Sequence, residues 1–119
     1  MSEILSYKDL VVWQKSMELV VTVYRLILKL PQDERRGLMS QMRRAAVSVP
    51  SNIAEGYGRQ AKGEYRHHLS ISRGSLLELE TQLLVCEKVG YLENLQTQQV
   101  LGEIQQISKM LGSLINKLR

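Results

Sequence analysis

The sequence predicts an all-α protein built as an antiparallel four-helix bundle. Apolar residues recur at three- and four-residue steps along four separate segments, which is the spacing of one helix face. The chain contains no Phe, two Pro and one Trp, a balance that favours helices over a sheet. The connections are short, so successive helices are expected to run up-down-up-down. At 119 residues, the chain is expected to form a single domain over 1–119.

Local sequence signals mark both ends of the first helix and the start of the second. The first helix is predicted to begin after Ser6, whose spacing to Asp9 resembles a capping box. It is predicted to end at about Leu30, because Pro31 disfavours helical geometry in the preceding residue. Gln32–Glu34 place negative charge at the start of the second helix, where the helix dipole favours it.

The first helix is apolar on two faces, since ten of the fourteen residues from Met17 to Leu30 are apolar. One stripe consists of Met17, Val20, Tyr24 and Ile27, and the other of Leu19, Val23, Leu26 and Leu30. A four-helix bundle covers only one face of each helix, so the second stripe is predicted to contact another copy of the chain. The alternative is a helix placed more centrally within a tightly packed monomer.

The second helix is predicted to continue through Pro50 to about Tyr57. The apolar stripe crosses the proline and consists of Leu38, Met42, Ala45, Ala46, Val49 and Ile53. A proline inside a helix removes one backbone donor and pushes aside the carbonyl four residues back, here that of Ala46. The sequence therefore predicts a helix kinked at Pro50, and Gly56 and Gly58 allow the chain to turn after it.

Polar residues follow the predicted kink. Ser48, Ser51 and Asn52 can satisfy the backbone groups that the proline frees. Glu55 falls near the same face as Asn52, one turn later. A structural polar cluster is predicted from Arg43, Arg44, Asn52 and Glu55, with the arginines pairing with the other two side chains. The alternative interpretation makes this bend a recognition surface.

The third helix is predicted to run from about Ala61–Glu64 to Val89, with Gly90 suited to a left-handed cap. Its core stripe is Leu69, Ser72, Leu76, Leu79, Leu83 and Cys86. Asn94 is expected to cap the fourth helix, which continues to the end of the sequence. The stripe of that helix is Val100, Ile104, Ile107, Leu111, Leu114 and Leu118. Gly74 is expected to mark a close helix crossing.

The net charge of +4 is concentrated in the middle of the chain. Residues 35–73 hold eight basic and two acidic side chains, whereas the segments on either side hold four basic and five acidic ones each. A local excess of this kind is typical of a surface that binds a polyanion. A nucleic-acid surface is predicted along the third helix and its approach, from Arg59, Lys62, Arg66 and Arg73 together with His67. The alternative is that several arginines pair with Glu18, Glu78, Glu80 and Glu87 on neighbouring helices.

Residues for catalysis or metal binding are sparse, so the sequence predicts a protein that is not an enzyme and has no metal or cofactor. His67 and His68 are adjacent and point about 100° apart on a helix, so they cannot converge on one ion or substrate. Glu64 and His67 form a single Glu-x-x-His pair, whereas di-iron bundles use two. The lone Cys86 lies on an apolar stripe and is expected to be a buried, unreactive thiol in a reducing cytoplasm. Neither a signal peptide nor a membrane span is expected.

Three sequence segments resemble a known bacterial family. The longest runs from Gly37 to Ala46 (GLMSQMRRAA) and on through SVPSNIAEG at 48–56, and two shorter matches lie at 10–13 and 74–80 (GSLLELE). Together they resemble the four-helix-bundle proteins encoded in intervening sequences of 23S ribosomal RNA genes. The chain is more distantly similar to the accessory protein of diversity-generating retroelements, a basic homopentameric barrel that binds a reverse transcriptase and nucleic acid. The resemblance implies a ring-like homo-oligomer, with a pentamer as its expected size.

The sequence therefore favours a cytoplasmic, oligomeric protein that binds RNA or DNA without sequence preference. The basic middle of the chain supports this function, and the retroelement relative implies it. The alternative is an oligomeric scaffold whose partner is a protein, such as a reverse transcriptase, with the arginines placed inside the subunit interfaces.

Overall fold

A computed structural model describes residues 3–119, and that part of the chain contains four α-helices and no strand. The helices are α1 (Val11–Leu26), α2 (Leu38–Tyr57), α3 (Lys62–Lys88) and α4 (Asn94–Lys117). Helix α2 packs against both α1 and α3, and α4 packs against α3 and α1. The prediction of an all-α protein with four helices is confirmed.

The ends of α1 differ from the predicted ones because two short 3-10 turns take up the terminal residues. Ser6 does form a capping box with Asp9, but it caps the 3-10 turn Tyr7–Asp9, and α1 starts after that turn. At the other end, the helix changes to a 3-10 turn over Ile27–Lys29 before Pro31. Tightening of the last turn into 3-10 geometry is common at helix ends.

Helix α2 starts at Leu38, six residues after the start of the acidic segment that was expected to open it. Gln32–Glu34 form a separate 3-10 turn, and the Glu34 carboxylate then accepts a hydrogen bond from the Leu38 N–H at 3.2 Å. The favourable charge at the helix start is thus real, although it acts from outside the helix. Pro50 lies inside α2, which continues without interruption to Tyr57 as predicted.

The connection between α3 and α4 is built around Gly90. This residue adopts φ = +86°, the left-handed geometry predicted for the cap of α3. Tyr91 and Leu92 then both donate their N–H groups to the Cys86 carbonyl, which closes the turn. Asn94 does not cap α4, because Glu93 occupies the N-cap position. The Asn94 amide instead donates to a carboxylate oxygen of Glu87 at 2.8 Å.

The core contains the stripe of α1 that the sequence assigned to another copy of the chain. Leu19 and Val23 are fully buried, and Leu26 and Leu30 are 8% and 6% exposed. These four side chains belong to the core of the bundle, so their assignment to an oligomer interface is wrong. The alternating apolar pattern of α1 defines two faces but does not say which one the bundle covers.

The face of α1 that remains exposed is the opposite one. Met17 and Tyr24, from the stripe expected in the core, are 42% and 43% exposed, and Leu28 is 75% exposed. Helix α3 also exposes apolar residues on its outer side, where Leu77 is 63% exposed. The molecule therefore has two separate apolar surfaces. Across residues 3–119, none of the helices has the length and apolar character needed to cross a bilayer.

Candidate nucleic-acid interface

Hydrogen bonds around Asn52 connect α2 to α3 just beyond Pro50. The Asn52 amide nitrogen donates to the carbonyl and to the hydroxyl oxygen of Ser48, at 3.0 and 3.1 Å. Its amide oxygen lies 3.0 Å from Nδ1 of His68, and because that oxygen can only accept, Nδ1 carries the proton. One turn earlier, the Ser75 hydroxyl donates to the Ser48 hydroxyl at 2.8 Å. Asn52 therefore links α2 to α3 through its side chain.

The other members of the predicted polar cluster lie elsewhere. Glu55 is exposed and pairs with Arg59 at 2.9 Å, one helical turn along the chain. Arg43 and Arg44 line a shallow depression beside Tyr24, between α1 and α2. The cluster predicted from Arg43, Arg44, Asn52 and Glu55 is therefore wrong in its membership, and its true partners are Ser48, His68 and Ser75. Ser48 lies one turn before Asn52 on α2, and His68 and Ser75 lie on α3. Contact between them therefore depends on how α2 and α3 are aligned along their length.

The close helix crossing lies at Gly56 and not at Gly74. A Cβ atom added to Gly56 would lie 2.8 Å from Cβ of His68 and 3.1 Å from the Tyr65 ring, whereas one added to Gly74 would meet nothing within 4 Å. Gly56 thus allows α2 to approach the first turns of α3. The same approach brings Asn52 to His68.

The basic residues of the middle segment are spread along the molecule. Arg35 and Arg36 precede α2, while Arg59 and Lys62 follow it. The twenty residues of α2 separate these groups by about 30 Å at 1.5 Å per residue. The basic excess of residues 35–73 therefore does not form one compact surface, because it extends from one end of α2 to the other.

One group of basic residues does share a surface, which we name the α3 basic stripe and define as Lys62, Arg66 and Arg73. Spacings of four and seven residues place these side chains on one face of the helix. The stripe extends for about 16 Å along α3 at 1.5 Å per residue. Lys62 and Arg73 are exposed and Arg66 is partly buried. Three of the four residues predicted to bind nucleic acid thus lie together, and Arg59 is held apart by its pair with Glu55.

Arg66 is fixed by a long-range contact. Its Nη1 donates to the carbonyl oxygen of Leu118 at the end of α4, at 2.6 Å. This contact joins the start of α3 to the end of α4 and satisfies one of the carbonyl groups that a helix end leaves free. Arg66 is therefore both a structural residue and a cation that faces solvent.

Arg119 is a basic neighbour of this stripe that the sequence analysis missed. It lines an open pocket together with Arg66, His67 and Ser70 of α3. Lys117 is the last residue of α4 and Arg119 follows two residues later. Antiparallel packing of adjacent helices would bring these residues beside the start of α3. The sequence therefore contains a signal for Arg119, but a count of basic residues along the chain does not show which of them become neighbours.

Few of the positive charges are neutralised by carboxylates. Among the residues that the structure describes, Arg59 and Glu55 form the only ion pair. The predicted alternative, in which arginines of the middle segment pair with glutamates such as Glu18 and Glu78 on other helices, is not what the bundle contains. The α3 basic stripe therefore presents its charge to solvent.

In the described part of the chain, the two histidines have different surroundings and the cysteine thiol is inaccessible to solvent. His67 and His68 have ring centroids 5.8 Å apart, and His68 is engaged by Asn52. Cys86 is buried, with Sγ 3.8 Å from the sulfur of Met42, and burial raises the pKa of its thiol to about 11. Within residues 3–119, no three His, Cys, Asp or Glu side chains lie close enough together to hold a metal ion.

Four packed helices with a basic stripe on one of them define a small all-α protein with a cationic surface. The sequence profile of the family described as 23S rRNA-intervening sequence protein matches residues 8–113, and the chain belongs to that family. A protein of unknown function from the S23 ribosomal protein family of Bacteroides thetaiotaomicron VPI-5482 has a similar crystal structure, with a TM-score of 0.78. The two chains are 24% identical over 88% of this chain and 98% of the other, which shows a shared fold. No curated protein matches the sequence significantly.

Proposed function

We propose that the protein binds RNA or DNA without sequence preference, mainly through the α3 basic stripe. The observation that carries the proposal is that Lys62, Arg66 and Arg73 share one helix face and none of them is paired with a carboxylate within residues 3–119. Phosphate contacts need only exposed cations at suitable spacing, and they hold the backbone of any sequence. Arg119 extends the same surface across the end of α4.

The experiment that tests this function removes two charges from the stripe. Changing Lys62 and Arg73 to glutamine leaves the Arg66 contact with Leu118 intact, so the fold should be preserved. A matched control changes Lys15 and Arg25 on α1, which removes the same charge from another surface. Fluorescence anisotropy with a random labelled oligonucleotide should show about a tenfold or greater loss of affinity for the Lys62/Arg73 variant, as expected for two lost phosphate contacts. Equal affinities for the two double variants would contradict the proposal.

The proposed assembly is a ring of identical subunits, with a pentamer expected from the family resemblance. Two different apolar surfaces support it, one on α1 and the turn after it with Met17 and Leu28, and one on α3 with Leu77 and Leu84. When two different patches of the same chain contact each other, the contact is heterologous and repeats, and it generates a ring if the rotation closes. The proposed subunit is an up-down-up-down bundle kinked at Pro50. The pairing of Ser48 with Ser75 and of Met42 with Cys86 supports opposite directions for α2 and α3.

A second candidate function is an oligomeric scaffold for a protein partner, for example a reverse transcriptase as in the retroelement relative. The same exposed apolar residues favour it, because patches of this kind are typical of protein interfaces. The two functions differ in their dependence on salt. A protein that binds through apolar surface retains its partner at high ionic strength, whereas phosphate contacts weaken steeply.

A further inference from the structure

An open pocket lies where the first turns of α3 meet the end of α4. Its volume is about 570 Å³, and the residues that line it are Gly63, Arg66, His67, Ser70, Ile115 and Arg119. Two arginines, a histidine and a serine therefore line one space. No carboxylate side chain is among the lining residues.

Arg66 is positioned in advance for a ligand in this pocket. Its contact with the Leu118 carbonyl uses one of the five N–H donors of the guanidinium, which leaves four. Its Nη2 lies over Gly63, 3.9 Å from where a Cβ of that residue would be, so the group is held against the wall of the pocket. A side chain fixed in this way loses less conformational freedom on binding than an unattached surface arginine.

We propose that this pocket binds one phosphate group of the nucleic-acid strand. This inference rests on the proposed function and names the place where the strand is held most tightly. Guanidinium groups bind phosphate oxygens in pairs of parallel hydrogen bonds, and Arg66 lies on α3 whereas Arg119 follows the end of α4. The Ser70 hydroxyl can donate a further hydrogen bond, and it lies between Arg66 and Arg73 on the same face of α3. The other residues of the α3 basic stripe would then contact the phosphates that follow this one in the nucleic-acid strand.

The first test uses pyrophosphate as a probe, because it has the same chemistry without a strand. The parent should show saturable chemical-shift changes at the His67 ring and the Arg66 side chain in an NMR titration at low salt. Arg119→Gln should weaken pyrophosphate binding about tenfold, as expected for the loss of a charge-assisted pair. Lys109→Gln removes one charge from α4 but lies outside this pocket, and it should leave the affinity within about twofold. Changes that do not saturate, or equal losses in the two variants, would overturn the assignment.

The second test repeats the comparison with a random oligonucleotide, and it separates this inference from the proposed function. Arg119→Gln should lower oligonucleotide affinity more than Lys109→Gln does. If both variants lose affinity equally, the pocket is not a preferred phosphate site, although binding of the strand by the protein stands. If the parent binds pyrophosphate in the pocket but no oligonucleotide, the phosphate comes from a small molecule, and both the strand assignment and the proposed function fall. Arg66→Lys gives an independent check, since a lysine retains the charge but lacks the paired donors and should also weaken pyrophosphate binding.

Discussion

Asn52 and Glu55 are one turn apart on α2 but have different surroundings. Asn52 makes three hydrogen bonds within the protein, whereas Glu55 has one exposed pair with Arg59. Asn52→Ala should lower the free energy of unfolding by about 1–3 kcal/mol, because it leaves partly buried partners unsatisfied. Glu55→Ala should change it by about 0–1 kcal/mol, as for other surface ion pairs. Chemical denaturation checks both values, and a larger loss for Glu55→Ala than for Asn52→Ala would contradict this assignment.

Gly56 lies at a close approach of α2 and α3. Gly56→Ala should lower the free energy of unfolding by about 1–3 kcal/mol, because the added Cβ would lie 2.8 Å from Cβ of His68. Gly102 on α4 is the matched control, since a Cβ there would meet nothing within 4 Å. Gly102→Ala should stabilise the protein by about 0.5–1 kcal/mol through helix propensity. Thermal melts that shift in the same direction for both variants would refute the close crossing.

At the scale of the elements, the packing of α2 against α3 protects Cys86. Its thiol contacts Met42 and has a pKa of about 11, so it should react very slowly with an alkylating reagent at pH 8 in the folded protein and quickly after unfolding. The raised pKa also has a consequence for stability. The folded state holds the thiol proton more tightly than the unfolded state, so this contribution is complete below the ordinary thiol pKa and is lost as pH rises towards 11. Equal alkylation rates in buffer and in denaturant would show that the packing is looser than described.

The helices could be predicted from the sequence far better than their contacts. The sequence predicts correctly that α2 continues across Pro50 and that Gly90 adopts a left-handed cap, because each feature depends on residues close together in the chain. The start of α2 was misplaced, since Glu34 stabilises it from a separate turn. Which face of α1 enters the core could not be read from its pattern, because both faces are apolar and the choice depends on the other helices.

At the scale of the whole molecule, the features of the candidate site that are local in sequence are predictable, and those that depend on contacts between helices are not. Lys62, Arg66 and Arg73 could be grouped from their spacing on one helix. The contribution of Arg119, the contact of Arg66 with Leu118 and the separation of Arg35 from the stripe depend on how the helices pack. Charge counted along the chain thus located the basic segment but gave neither its shape nor its partners.

The assembly can be tested by its mass. Light scattering of the parent at tens of micromolar should give about five times 13.6 kDa, or about 68 kDa, for the expected pentamer. Leu77→Glu with Leu84→Glu should reduce the mass, because burying a charge in an apolar contact is unfavourable. Leu95→Glu is the control, since Leu95 is exposed on α4 and belongs to neither apolar surface. A species of 13.6 kDa for the parent would rule out the ring.

The most direct test of nucleic-acid binding is the dependence of affinity on salt. For the parent protein and a random DNA duplex, the logarithm of the association constant should fall linearly with the logarithm of salt concentration, with a slope of about 0.9 for each phosphate neutralised. The α3 basic stripe and Arg119 supply four cations, so each subunit that contacts the duplex should add roughly 3–4 to the magnitude of the slope. Binding that is absent at low salt, or whose affinity does not change with salt, would contradict the account.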